Sequence, residues 1–288
     1  MGFARRATAA VKRTSWLRSV DYGVRKSPSN LLGVPRERLF FGYMWQALSG
    51  VDLPGVASSD QMIDFVGGAW EFPYTHCRWA LLAGLRGVRV AFMSVGAGPL
   101  DGWLARFLVR TALSRAAHVS VRDQGSREIV CDLGFKGDIE VSPDLAFSLL
   151  WIARVPCGAK VGAGVVVINP MPVFDARYWP TADADRYRRY LDALAELSAA
   201  IVATGKRVVL FGTRAAREWA ADDVLVRLSS DVQASGRIEL ARPRTLEQLL
   251  ELLSHSDFVV ATRFHGILLS LLVGTPVVRV CYYGISRD

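Results

Sequence analysis

The chain has 288 residues, 51% of them apolar and 22% charged, and a net charge of +8. That composition supplies a sizeable core and excludes global disorder. The longest uncharged apolar runs are too short for a membrane span, and the scattered Cys77, Cys131, Cys157 and Cys281 have neither metal spacing nor the pattern of a disulfide framework.

Residues 1–60 form a basic, atypical N-terminal segment. Arg5, Arg6, Lys12, Arg13, Arg18, Arg25 and Lys26 face only Asp21 within residues 1–26, and Trp16 and Leu17 lie among them. Such a segment suits peripheral contact with a membrane surface, or a solvated basic lead-in. No motif for nucleic acid accompanies it. With no secretory leader in view, the expected location is the cytoplasm, at most at the inner face of the membrane. No strand followed by a glycine loop is legible in residues 1–60.

From Met62 onward, short apolar strands alternate with helical stretches. Ile63–Val66 leads into Gly67-Gly68, and Arg78 to Leu85 reads as a helix. Val90–Val95 leads into Gly96-Ala97-Gly98-Pro99, with a helix from Trp103 to Ser114. His118–Val121 ends at Arg122-Asp123, where Gly125-Ser126 is read as capping a helix through Leu133, and Ile139–Val141 follows. This βαβα repetition predicts a parallel sheet covered on both faces.

The Gly-rich stretch 155–164 predicts a boundary between domains at 61–157 and 158–288. The second half restarts at Val165–Ile168. A long amphipathic helix carries Tyr187, Tyr190, Leu191, Leu194, Leu197 and Ile201, and Lys206–Phe211 is a strand. Thr245 and Gln248 form a capping box for the next helix. Phe258–Ala261 is a strand, Thr262 to Gly266 a turn, Ile267–Val273 a helix, and Val277–Val280 a strand. The expected fold is α/β with two Rossmann-like domains, both termini being incomplete or atypical.

Four glycine-containing strand ends converge in this plan: Gly67-Gly68, Gly96 with Gly98, Gly212-Thr213, and the Thr262–Gly266 turn. In open α/β sheets, ligands bind at the carboxyl ends of strands, and a helix N-terminus favours anions there. Arg263 and His265 stand at such a junction, and Arg122 repeats the logic at another. Two arginines can clamp two anionic groups, although Arg122 could instead pair with Asp123. Asp144, just past a strand, is either a loop cap or a site residue. Neither glycine pair fits the dinucleotide fingerprint, which disfavours a nicotinamide cofactor. His76, His118 and His255 lack ligand spacing and read as structural.

Taken in order, Val119–Asp123 with Gly125-Ser126, Pro143–Phe147, and Ala261–His265 with Gly274–Val277 resemble the polysaccharide pyruvyl transferases. Phe65–Gly68 and Ser94–Pro99 resemble that family's two earlier glycine loops, and Asp175 to Leu194, with Arg177–Pro180, resembles bacterial members. The resemblance covers about residues 62–283. It implies a GT-B-like fold and transfer of a pyruvyl group from phosphoenolpyruvate to two hydroxyls of a cell-surface polysaccharide or glycolipid, with no metal and no cofactor beyond that co-substrate. It further implies that His265, Arg263 and Arg122 carry the chemistry and that Thr262, Phe264, Gly266 and Asp144 bind the donor. Gly67, Gly68, Gly96 and Gly98 would shape the side that takes a saccharide or lipid-linked saccharide acceptor. A nucleotide-sugar-dependent glycosyltransferase and a non-catalytic truncated relative are the alternatives the pattern leaves open.

Overall fold

A computed structural model describes residues 33–57, 60–65, 68–152, 162, 164–179, 182–212 and 219–282. Helix α1 (Gly33–Ala47) comes first, then strands β1 (Gly55–Ala57) and β2 (Asp60–Met62). Helix α2 (Phe72–Leu85) leads to β3 (Val90–Ala97), α3 (Trp103–Leu113), β4 (Ala116–Val121), α4 (Gln124–Asp132) and β5 (Glu140–Val141). A 3-10 turn over Leu145–Ser148 runs into the short α5 (Leu149–Ile152). The second half comprises β6 (Val165–Asn169), α6 (Ala184–Ala203), β7 (Arg207–Phe211), α7 (Trp219–Arg227), α8 (Ser230–Ala234), β8 (Ile238–Ala241), α9 (Leu246–Ser254), β9 (Phe258–Ala261), α10 (Phe264–Leu272) and β10 (Val277–Arg279).

Among the described residues all strand pairings are parallel. In the first sheet, β1 and β2 lie one after the other along β3, which pairs β4, which pairs β5. The sheet therefore starts within residues 1–60, where no strand followed by a glycine loop is legible in the sequence: Gly55–Ala57 pairs Ala91, Phe92 and Met93. Three residues with glycine at one end carry no alternating pattern, so only the pairing reveals the strand. The strand read at Ile63–Val66 sits upstream, at Asp60–Met62.

The second sheet runs β10-β9-β6-β7-β8. Counted within this half the order is 3-2-1-4-5, a Rossmann order whose switch point lies between β6 and β9. Alternation with a period of two divides its core. Val165, Val167, Val209, Phe211, Val259 and Ala261 face a layer with Leu250, Leu253, Leu268 and Leu269. Ile168, Val208, Leu210 and Val260 face Leu191, Leu194 and Val224 on the other side. Both faces are buried, which is why these strands read as continuous apolar runs.

The first sheet has its own core around Phe92, Val95, Leu113 and Val121. Ala146 and Leu149, which follow its last strand, pack instead against the second core. The boundary expected at 155–164 falls mostly on residues outside those described.

Candidate active site

The turn after β9 is built from below by hydrogen bonds. Thr262 N–H donates to the Asn169 carbonyl at 3.0 Å, joining the ends of β9 and β6. The Thr262 hydroxyl, on a residue only 4% exposed, lies 2.7 Å from the Tyr190 hydroxyl, which also accepts the Met171 N–H at 3.0 Å. Burial pushes the Tyr190 phenol up, against the lowering pull of Thr262, Met171 and the nearby Arg263 charge. Asn169 is fully buried and donates from Nδ2 to the Phe211 carbonyl at 2.9 Å. One residue, through its backbone carbonyl and its side-chain amide, thus ties three strand ends together.

Arg263 is the N-cap of α10, with extended backbone and no side-chain cap bond. The first-turn amides of α10 are therefore not taken up by their own cap, as an anion site at a helix N-terminus requires. Phe264 and His265 are exposed on that turn, their rings edge to face at 5.6 Å. Gly266 is buried beneath them.

Helix α4 differs. The sequence reading placed its cap at Gly125-Ser126, but Asp123 is the cap and accepts the Ser126 N–H at 2.6 Å. Aspartate in an extended conformation before the first turn satisfies an amide better than glycine does. Burial would raise the Asp123 pKa, but Ser126 and Arg122 outweigh it and hold the carboxylate below its ordinary range. That helix start is already occupied by a carboxylate.

Arg122 bonds from Nε to Asp123 at 3.2 Å and also places its guanidinium 4.6 Å from the centre of the Phe264 ring. The pairing with Asp123 that the sequence allowed is present. Across this contact the end of β4 in one sheet meets the start of α10 in the other. Phe65, just past β2, likewise lies 6.1 Å from Trp179, which follows β6. The carboxyl ends of the two sheets therefore face each other.

The remaining predicted residues take defined places. Ala97 N–H donates to the Ser126 hydroxyl at 2.9 Å, setting the Gly96–Gly98 loop beside the Arg122–Ser126 turn. Gly98 N–H donates to the Met62 carbonyl at 3.1 Å. Gly68, with φ of +67°, is in the left-handed region and donates to the Asp64 carbonyl at 3.0 Å. Gly67 lies outside the described residues. Asp144, 4% exposed, uses Oδ1 to accept the Ala146 N–H at 2.9 Å, while its buried Oδ2 has no hydrogen-bond partner among the described residues. The sequence reading missed Asn169, although an amide closing an apolar strand was a usable signal. It placed Tyr190 only as a helix-core residue.

A model of the family described as polysaccharide pyruvyl transferase matches residues 34–284. The chain belongs to the polysaccharide pyruvyl transferase family. No curated protein matches it. Among solved structures, this family member is similar to the UDP-GlcNAc 2-epimerase of Methanocaldococcus jannaschii, with a TM-score of 0.55 and 10% identity over 88% of this chain and 67% of the epimerase. It is also similar to the Neisseria meningitidis UDP-GlcNAc 2-epimerase bound to UDP-GlcNAc, with a TM-score of 0.52 and 12% identity over 90% of this chain and 67% of that one. Identities this low show the fold alone, and that fold is α/β and GT-B-like. The family is one of enzymes. Among the described residues no helix is long and apolar enough to cross a membrane.

Proposed function

We propose that this pyruvyl transferase moves the pyruvyl group of phosphoenolpyruvate onto two hydroxyls of one saccharide, forming a ketal. Arg122 meeting the Arg263-Phe264-His265 turn across the two sheets is the observation that carries the reading. The donor brings a carboxylate and a phosphate, and these partners offer two guanidinium groups and the amides of α10.

The chemistry suits those groups. A proton adds to the donor's methylene carbon, leaving an oxocarbenium-like centre at C2. The first hydroxyl attacks C2 and gives up its proton. Phosphate then leaves with the electrons of its C–O bond, and the second hydroxyl attacks and loses its own proton. One of the two released protons balances the one taken up by the methylene carbon; the other leaves with phosphate. His265, exposed on the turn, is the group assigned to move protons. Arg263 and Arg122 stabilise the leaving phosphate and orient the carboxylate. Thr262, Phe264, Gly266 and Asp144 shape the donor side. Gly68, Gly96 and Gly98 border the acceptor side, on the loops that close the first sheet.

The test is phosphate release from phosphoenolpyruvate in the presence of acceptor. His265→Ala and Arg263→Ala are expected to lower kcat by about a hundredfold or more, the scale of a lost proton-transfer or charge-stabilising group. Wild-type rates in both variants would overturn the reading.

A further inference from the structure

Helices α1, α2 and α3 present an apolar face that the proposed chemistry does not use. Between them runs a groove of about 750 Å³ lined in part by Phe41, Tyr74, Leu81, Leu85, Phe107 and Arg115. Phe107 is 59% exposed and Leu85 74%. Trp103, 78% exposed, stands one turn before Phe107 on the same face of α3. Trp70, 68% exposed, lies 5.4 Å from the groove residue Tyr74. The apolar band therefore starts beside the glycine loops that close the first sheet and runs down to Leu85 and Arg115.

Its charge has one sign. The charged residues lining the groove are the exposed Arg115 and the buried Arg78, whose guanidinium lies 3.6 Å over the Phe40 ring, with no aspartate or glutamate among them. Arg86 lies over the half-exposed Trp45 ring at 4.1 Å on the neighbouring part of α1. The groove's occupant must therefore be apolar and anionic together. The chain's own N-terminal segment fails on charge, because Arg5, Arg6, Lys12, Arg13, Arg18, Arg25 and Lys26 face only Asp21 in residues 1–26. A second copy bound face to face would set arginines against arginines. An anionic phospholipid surface meets both requirements: tryptophan favours the headgroup boundary, and stable attachment takes apolar contact together with a basic patch.

We propose that the α1–α2–α3 face docks this enzyme on an anionic membrane surface, with Trp70 and Trp103 turned toward the edge of the acceptor side. Docking there would present a lipid-linked acceptor to the cleft without extracting its tail from the bilayer.

The experiment is co-sedimentation of the full chain with vesicles of phosphatidylcholine plus phosphatidylglycerol, and with vesicles of phosphatidylcholine alone. It contains neither donor nor acceptor, so its outcome is independent of the phosphate-release assay. Wild type is expected to partition to the mixed vesicles about tenfold or more over the neutral ones. The combined Leu85→Ser, Trp103→Ser and Phe107→Ser variant is expected to lose about tenfold or more of that binding, with unchanged circular dichroism and unchanged phosphate release on a water-soluble acceptor. Arg115→Glu is expected to weaken binding to the mixed vesicles alone. Equal binding of wild type to both vesicle types overturns the proposal. So does full binding by the triple variant, whether or not binding is lost when the seven basic residues of 1–26 are changed to Gln. A fall in molecular mass by light scattering in the triple variant would make the face a contact between copies, and that too overturns it.

Discussion

A Cβ built on Gly266 would stand 2.4 Å from the Asn169 Oδ1 and 3.3 Å from the Ala261 Cβ. Asn169 cannot swing away cheaply, since its amide holds the Phe211 carbonyl. Gly266→Ala is therefore expected to cost about 1–3 kcal/mol in urea unfolding, and the double variant with Asn169→Ala to cost less than the sum of the two. A second residue-scale prediction concerns His76, which is buried and bonded through Nε2 to Gln61 at 2.8 Å. Burial pushes its pKa from 6.5 down to about 4. The folded state thus disfavours the imidazolium, so the unfolded chain binds the proton first as pH falls. The stability His76 lends is complete above pH 6.5 and declines from there toward pH 4, by about 1.4 kcal/mol per pH unit at its steepest. His76→Gln is expected to flatten that part of the stability profile.

At the scale of elements, the loop after β6 is held by a chain of charges that the sequence did not announce. Asp175, 6% exposed, accepts from the Arg177 Nε at 2.8 Å and from the Trp219 Nε1 at 3.0 Å. Arg177 also pairs with Asp223, and the Tyr187 hydroxyl donates to Asp223 at 2.7 Å. Partners 46 and 36 residues apart cannot be matched by spacing alone. Removing one member strands the others, so Asp175→Ala is expected to cost about 3 kcal/mol or more, read from thermal or urea unfolding. The capping of α9 was legible: Thr245 accepts the Gln248 N–H at 3.2 Å, as the local pattern requires. The return bond goes one residue further back, to the Arg244 N–H at 2.9 Å. Caps are read from neighbours in sequence, whereas charge networks are read only after folding.

For the whole molecule, the Arg122–Phe264 contact joins the two sheets beside the proposed donor site. If the donor bridges them, phosphoenolpyruvate at about a hundred times its Kd should stabilise the chain by about 2.7 kcal/mol. Arg122→Ala, in the first sheet, and Arg263→Ala, in the second, should each abolish most of the accompanying rise in Tm. A loss confined to one variant would mean that a single sheet holds the donor.

The α/β pattern, the central strands of both halves and the ordered motifs of the family were determined by the sequence alone, because buried parallel strands and capped helices are local patterns of hydrophobicity and turn chemistry. Arg122, Arg263 and His265 could be singled out for the same reason: each stands at a strand end. Tertiary structure alone decided that β1 exists, that Asp123 rather than Gly125 closes α4, and that Arg122 reaches Phe264. It alone showed Asn169 and Tyr190 beneath the site, and α1, α2 and α3 sharing an apolar face. These facts depend on contacts between segments far apart in the chain, and a one-dimensional pattern carries no record of which distant residue a side chain will meet.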